Sequence, residues 1–223
     1  MTRISMIMEG RTEIGFVEYV LSPLLLEKEK YLIPHMLGKP GKKGSVGEFD
    51  RAEREFVKLL KQDASRYLTT MFDFYAMPNS WPGRKIAAKA HFQDKKRIVE
   101  EAIKKTVCRK MGSSFDRRRF LPYVQMHEFE ALLYTDPEEF DLEFPNLDYS
   151  CEIRKIRDKF NTPEEINDGP STAPSKRIER TIPKYKKSSH GMNIALRIGV
   201  EKMKSACPLF AAWLNALETL GET

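Results

Sequence analysis

The sequence predicts an α/β fold, in which a parallel sheet is flanked by helices and followed by a helical extension. Three observations favour it. Ile4–Met8 is a short, nearly continuous apolar run, as in strands buried on both faces. Strand-type and helix-type spacing then alternate, and from Tyr149 onward the spacing is helical only. We therefore divide the chain into an α/β domain, 1–148, and a helical C-terminal extension, 149–223, which packs on it because its helices are too short to be stable alone.

The first unit is typical of a strand, a tight turn and a helix. Glu9-Gly10 ends the strand, Thr12 is a candidate N-cap, and apolar residues recur at helical spacing over 16–25. Ligands of open parallel sheets bind beyond the carboxyl ends of the strands, so Glu9 stands where chemistry is expected. The alternative is a solvated turn residue at Glu9, with Glu13 a first-turn acid that favours the helix dipole.

The later elements alternate in the same way and bring further carboxylates to strand ends. We expect strands at 31–37, 67–72 and 120–125, and helices at 48–60, at 85–110 and after residue 126. Pro34 indicates an edge position for the second strand, and 38–47 is expected to be a flexible basic loop. Asp73 directly follows 67–72, and the run His127-Glu128-Phe129-Glu130 follows 120–125. Carboxylates are thus predicted at the ends of three strands.

Composition narrows the class of protein. The 223 residues are 41% hydrophobic and 31% charged, as in soluble globular proteins, and no apolar run approaches the roughly 18 residues of a membrane span. The N-terminal apolar run is too short for a secretion signal. The scattered cysteines Cys108, Cys151 and Cys207 indicate reduced thiols in a cytoplasmic protein.

Charge is segregated along the chain. The net charge of +6 divides into +1 over 1–83, +9 over 84–119, −9 over 127–168 and +5 over 169–223. An acidic block between two basic ones suits a metal-dependent enzyme that acts on a polyanion. The alternative is a set of solvated helix faces of opposite sign.

The acidic strand ends predict a divalent-metal site. Carboxylates brought together repel one another unless a cation lies between them, and the candidate ligands are Glu9, Glu13, Asp73, Glu128 and Glu130. Mg²⁺ and Mn²⁺ prefer oxygen ligands and support phosphodiester cleavage. His127 is a candidate catalytic residue that orients a carboxylate or contacts phosphate, and a packed, hydrogen-bonded histidine is the alternative. Tyr75 and Trp81 are candidates for stacking on bases or, alternatively, for packing in the core or a loop.

The motifs at the three strand ends are MEGRTE, FDFY and HEFEALL. They resemble the Toprim fold, and most closely the Toprim branch of OLD-type nucleases. Together with INDGPSTAPSKRI and CPLFAAWL, they resemble a bacterial Toprim-like family of unknown function. Its members are typically encoded beside an ABC-type or AAA-type ATPase in phage-defence settings. The resemblance runs over nearly the whole chain and implies a Rossmann-like sheet with helices on both faces.

The resemblance also implies a set of site residues. It implies a divalent metal held by Glu9 and Asp73, with the acidic helix start of OLD-type proteins at Glu128 or Glu130. Many Toprim proteins carry Asp-x-Asp at the second motif, whereas Tyr75 occupies the second position here. Phosphate contacts near the acidic site are expected from four basic residues, with solvated helix ends as the alternative. These are Lys176, Arg177, Lys186 and Lys187.

The leading expectation is a Mg²⁺- or Mn²⁺-dependent nuclease subunit that acts on nucleic acid with an ATPase partner, without membrane contact. The rival is a non-catalytic regulatory module that docks on an ATPase, which the single acid of the FDFY motif favours. A phosphatase or primase-like transferase using the same carboxylates is a third alternative, because a site alone does not name its substrate. The oligomeric state and the choice among DNA, RNA and tRNA are left open.

Overall fold

The computed structural model describes residues 1–37, 47–145, 147–167, 169 and 171–222. Within them, strands β1 to β5 cover Thr2–Met8, Lys30–Met36, Tyr67–Asp73, Phe120–Leu121 and Val124–Gln125. Helices α1 to α5 cover Arg11–Phe16, Ser22–Glu27, Phe49–Gln62, Arg84–Ala87 and Phe92–Met111. Helices α6 to α10 cover Glu138–Glu143, Tyr149–Arg157, Pro174–Thr181, Met192–Ala206 and Pro208–Glu218. Short 3₁₀ or π segments lie at Val17–Leu21, Arg117–Arg119, Phe129–Thr135, Pro163–Glu165 and Lys187–Gly191.

The strands form one parallel sheet in the order β2-β1-β3-β4, and β5 pairs with β3 beyond β4. The register places Met8 at the end of β1 opposite Met36 and Met71, and Asp73 opposite Gln125. The residues that follow β1, β3 and β5 therefore leave the sheet at the same edge. The predicted parallel α/β fold is confirmed, and β2 lies at the edge that Pro34 indicated.

Helices cover both faces of the sheet and explain the continuous apolar run of β1. Ile4, Met6 and Met8 join the apolar cluster that contains α1, α9 and α10, whereas Ile7 joins the cluster formed with α3 and α5. Both sets are essentially inaccessible to solvent. A strand buried on both faces has no polar side to present, so its sequence does not alternate.

The helical C-terminal region packs directly on the sheet. The indole of Trp213 in α10 stacks on Tyr123 with ring centroids 4.1 Å apart, and its Nε1–H donates to Thr69 Oγ1 at 2.9 Å. Residues on both sides of position 148 share one apolar cluster. The helical character after Tyr149 is confirmed, and the boundary at 148 stays a prediction. Within the described residues, no helix combines the length and apolarity needed to cross a membrane.

The expected single helix over 85–110 is wrong. The segment forms α4 and α5, and His91 precedes α5 in an extended conformation (φ −63°, ψ 150°). Gly83 precedes α4 with φ 77°, and a Cβ there would lie 2.7 Å from the carbonyl oxygen of Ile98. α4 therefore folds against α5 at a position that glycine alone fits. Ile86 and Ala90 keep helical spacing into the break, so periodicity does not reveal it.

Three other local expectations also change. The strand expected over 120–125 divides into β4 and β5, because Pro122 between them has no N–H for the ladder. The helix expected after residue 126 is a 3₁₀ helix at Phe129–Thr135. Thr12 is not the N-cap of α1, since Gly10 takes that position with no side-chain hydrogen bond. The basic loop expected at 38–47 lies outside the described residues except for Gly47.

Candidate functional site

Glu9 and Asp73 are joined at the carboxyl edge of the sheet. Glu9 follows β1, and its Oε1 accepts a hydrogen bond from the Asp73 N–H at 3.1 Å. Asp73 ends β3, and its Oδ1 in turn accepts from the Phe129 N–H at 3.0 Å. These two hydrogen bonds therefore link the turn after β1 and the segment after β5 to the end of β3. Two of the predicted metal ligands lie together, as the strand-end argument predicted.

Glu128 and Glu130 reach the same edge and share Lys187. The Lys187 Nζ lies 3.2 Å from Glu130 Oε2 and 3.7 Å from Glu128 Oε1. The other oxygen of Glu128 accepts from the Ser175 N–H at 2.9 Å, in the first turn of α8. Both glutamates are buried, with 8% and 2% of their surface exposed. The two buried acids therefore lie at the start of the 3₁₀ helix at Phe129–Thr135, and their cation comes from the π segment at Lys187–Gly191.

Glu13 completes the group from the first turn of α1. Its side chain folds back over Gly10, where an added Cβ would lie 2.7 Å from Glu13 Oε2. Burial raises the pKa of Glu13, and the charge of Lys187 opposes that shift. We call Glu9, Glu13, Asp73, Glu128 and Glu130 the strand-end carboxylates.

The electrostatics show that these five groups act on one another. Burial raises the pKa of Asp73 well above its ordinary value, and the other four carboxylates raise it further. Burial raises the pKa of Glu9 to about 8; the Glu13 charge adds to the shift, and the Asp73 N–H reduces it. Burial also raises the pKa of Glu130 to about 7, although Lys187 opposes the change. At neutral pH the group therefore holds protons that isolated carboxyls would have released.

Lys187 is the cation that ion-pairs with this group in the described part of the chain. Burial lowers its pKa, but the charges of Glu130, Glu128 and Asp73 outweigh burial and leave the pKa above its ordinary value. Within the described residues, Lys187 ion-pairs with Glu128 and Glu130, whereas the other three strand-end carboxylates form no ion pair. The raised pKa values mean that protons neutralise part of the negative charge of the group.

The donor chemistry fits Mg²⁺ or Mn²⁺. The strand-end carboxylates offer oxygen ligands only, which is the preference of both ions. Two buried hydroxyls near Glu128, Ser175 Oγ and Tyr185 Oη, have no hydrogen-bond partner within the part of the chain that the structure describes. Such orphaned polar atoms are uncommon and are usually satisfied by a water or a ligand.

The arrangement seen here has no preformed cage. Among the described residues, no three His, Cys, Asp or Glu side chains have the spacing of a metal site. Backbone N–H groups and Lys187 take up the carboxylate oxygens instead. Binding of a divalent ion would therefore require Lys187 to move or to share its partners.

His127 contacts side chains other than the strand-end carboxylates. Its Nδ1 bonds to Asn167 Nδ2 at 3.0 Å, and its ring lies 6.0 Å from that of Phe74 and 5.9 Å from that of Phe92. Burial, followed by the charges of Lys95 and Arg84, lowers its pKa to about 4. This geometry favours the packed, hydrogen-bonded alternative, and the catalytic assignment stays a prediction.

The four predicted phosphate-contacting residues occupy different surroundings. Lys187 lies among the carboxylates, as described above. Lys176 is exposed and pairs with Glu179 at 2.7 Å. The Arg177 Nε–H donates to the Thr172 carbonyl at 2.7 Å, and Lys186 is exposed. The structure brings one of the four to the acidic group, and a phosphate contact by any of them stays a prediction.

The two residues predicted to stack on bases, Trp81 and Tyr75, differ in their exposure to solvent. Trp81 is buried between Phe49 and Phe72, and its Nε1–H donates to the Gly47 carbonyl at 2.8 Å. It packs in the core. Tyr75, by contrast, is 36% exposed and follows Phe74 at the edge of the sheet.

The sequence did not reveal which residues of the C-terminal region hold His127 and Glu128 in place. Asn167 and Ser175 both lie in the INDGPSTAPSKRI motif, which was the available signal. Asn167 holds His127, and the Ser175 N–H holds Glu128. Tyr185 lies close enough to Glu130 and Glu128 for their charges to add to the rise that burial causes in its pKa.

Comparison with known proteins gives a family. No curated protein and no solved structure matches the chain. A family model described as "Domain of unknown function (DUF4276)" matches residues 8–218, which include all five strand-end carboxylates and Lys187. The chain belongs to this DUF4276 family.

Proposed function

We propose that this chain is a Toprim-like nuclease that hydrolyses phosphodiester bonds of nucleic acid with the help of Mg²⁺ or Mn²⁺. The observation that carries the proposal is that five carboxylates reach one edge of the sheet, where four of them add to the rise that burial causes in the pKa of Asp73, with Lys187 paired to two of the five. Their mutual electrostatic influence and their position at the carboxyl edge of a parallel sheet support it.

Each residue of the group has a defined part in the proposal. Glu9 and Asp73 hold the divalent ion, and Glu128 or Glu130 completes the site or positions the attacking water. A divalent ion bound there supplies Lewis-acid stabilisation of charge on the phosphate and lowers the pKa of water. Glu13 lies beside them as a further oxygen donor.

Lys187 would have two successive partners. Its ammonium lies 3.2 Å from Glu130 Oε2 and offsets part of the repulsion within the group. A divalent ion held by the carboxylates would offset that repulsion instead and would leave the ammonium available for a phosphate oxygen.

The proposal includes an ATPase partner of the ABC or AAA type and a place in the cytoplasm. The partner rests on the resemblance to the OLD-type branch. The cytoplasmic location rests on three cysteines that are all free thiols. Co-purification of the chain with the product of an adjacent ATPase gene tests the partner.

A cleavage assay tests the activity. Purified protein is incubated with labelled single- and double-stranded DNA and RNA in Mg²⁺, in Mn²⁺ and in EDTA. We expect cleavage with either metal and none in EDTA. Glu9→Gln should reduce cleavage by about 10²-fold or more, because a charged ligand is lost. Glu18→Gln, an exposed acid of the adjacent π segment, is the matched control and should cleave normally.

The main rival is a non-catalytic module that docks on an ATPase. Tyr75 favours it, because many Toprim proteins carry a second aspartate at that position. The absence of three-ligand metal spacing among the described residues also favours it. Metal-dependent cleavage that Glu9→Gln does not alter would remove the active-site assignment, and ATPase binding with no cleavage on any nucleic acid would favour the module.

A further inference from the structure

Two cations lie against the ring of Phe74 and have no carboxylate partner among the described residues. The Arg84 Nε–H donates to the carbonyl of Phe74 at 3.1 Å, and its guanidinium carbon lies 4.0 Å from the centre of the Phe74 ring. The ammonium of Lys95 lies 5.9 Å from the centre of the same ring. Neither side chain forms an ion pair within the described residues.

The two residues that follow Lys95 in α5 form ion pairs with acids of the same helix. Lys96 contacts Glu100 at 2.8 Å, and Arg97 contacts Asp94 at 2.8 Å. Lys95 directly precedes these two residues but does not pair with Glu100 or Asp94. Arg84 is partly buried, and burial lowers its pKa. A partly buried cation held only by a carbonyl and an aromatic ring is poorly compensated, so an anion would be favourable beside it.

His127 adds a hydrogen-bond donor to these two charges. The Oδ1 of Asn167 accepts from the Gly169 N–H at 2.9 Å, so its Nδ2 amide group faces His127. An amide nitrogen can only donate, and His127 Nδ1 must therefore accept. The neutral ring then carries its proton on Nε2, which has no partner among the described residues. The Phe74 ring lies 6.0 Å from the His127 ring.

We propose that Arg84, Lys95 and the Nε2–H of His127 form an anion-binding recess around Phe74, which holds a phosphate of the nucleic acid next to the one that is cleaved. The recess rests on the proposed function for its substrate class. Phe74 directly follows Asp73 and His127 directly precedes Glu128, so the recess lies at the same edge of the sheet as the strand-end carboxylates. Two positive charges and a neutral donor suit a phosphodiester group, which carries one charge and two free oxygens.

Phosphate titration followed by NMR tests the recess without catalysis. Inorganic phosphate is added in EDTA to protein labelled with ¹⁵N, and the Nε2 signal of His127 is recorded. We expect that signal to shift and to saturate. Lys95→Gln should raise the half-saturation concentration about tenfold, because a charge-assisted contact is lost. Lys105→Gln, an exposed site on the same helix with the same change of charge, should leave it within about twofold.

Arg84→Gln provides the second variant, and a thermal melt shows whether it folds. A His127 signal that phosphate does not move would overturn the recess. An equal loss of affinity in Lys95→Gln and Lys105→Gln would overturn it too, since the effect would then be general charge. The cleavage assay is independent: phosphate binding here with no cleavage of nucleic acid leaves the recess standing and removes the nuclease proposal.

Discussion

Two buried acidic sites in this molecule look alike by burial and pKa but differ in construction. Glu164 is fully buried, and burial raises its pKa to about 7, the value reached by Glu130. Both oxygens of Glu164 are taken by the N–H groups of Leu209 and Phe210, at 2.9 and 2.8 Å. These N–H groups open α10 and have no partner within the helix, so Glu164 acts as its cap. Glu130 instead shares one lysine with Glu128 and lies among other acids.

The difference teaches that a raised pKa does not by itself mark a functional carboxyl. Glu164 is satisfied by fixed backbone donors and stabilises the fold. Among the strand-end carboxylates, neighbouring charges add to the rise that burial causes in the pKa of Asp73, and Lys187 pairs with two of the group. Substitutions at the two sites should therefore separate stability from activity.

The largest effect is expected at Asp73. Asp73→Asn keeps the acceptor for the Phe129 N–H but removes the charge that the other carboxylates act on. Metal-dependent cleavage should fall by about 10²-fold or more. The melting temperature should stay the same or rise, because repulsion is relieved. Asp50→Asn, at an exposed position in α3, is the control. A large loss of stability with cleavage retained would show that Asp73 stabilises the fold and is not needed for cleavage.

Glu164 should show the opposite behaviour. Glu164→Ala leaves two N–H groups of α10 without an acceptor, which should lower the free energy of unfolding by about 2 to 4 kcal/mol. Urea unfolding measures this, with the exposed Glu201→Ala as control. Cleavage per folded molecule should be unchanged. Loss of cleavage in a folded Glu164 variant would place this acid in the site.

The pH dependence of stability sharpens the contrast. The pKa values of Glu9 and Glu130 are raised from 4.5 to about 8 and about 7, so the native state binds more protons than the unfolded state between those values. The free energy of unfolding should therefore fall by several kcal/mol as pH rises from about 5 to 8 in EDTA, and the lowered pKa of His127 opposes this fall below about pH 6.5. Thermal melts across this range measure it.

Metal and substitution controls separate the two sites within that pH range. Mg²⁺ or Mn²⁺ should restore stability at pH 8, since a cation favours the charged carboxylates. Glu9→Gln should flatten the profile and weaken the response to metal. Glu164 titrates in the same direction, so Glu164→Gln should also flatten the profile but keep the response to metal. A profile that rises with pH in EDTA would contradict the raised pKa values.

The smallest effect is expected at Gly10. A Cβ at this position would lie 2.7 Å from Glu13 Oε2, so Gly10→Ala should push that carboxylate aside while the fold persists. Cation affinity should fall about three- to tenfold. In a Glu13→Ala background, Gly10→Ala should have no further effect. Additive losses in the double variant would show that Gly10 acts on something other than Glu13.

Much of the fold can be predicted from local sequence patterns, whereas the tertiary contacts that hold the site residues in place cannot. A nearly continuous apolar run identified β1 and a β-branched and aromatic run identified β3, and the topology of parallel sheets brought Glu9 and Asp73 to one edge. The break between α4 and α5 escaped because it depends on the close approach of Gly83 to Ile98. The pairing of Lys187 with Glu130 escaped for a similar reason, since tertiary packing alone brings these distant segments together.

Isothermal titration of metal-free protein with Mn²⁺ at pH 7.5 tests most directly whether the strand-end carboxylates bind a divalent cation. We expect saturable binding by the wild-type chain, loss of that binding in Asp73→Asn and wild-type affinity in Glu164→Gln. Equal binding by Asp73→Asn and wild type, or no binding by the wild type, would contradict the proposed site.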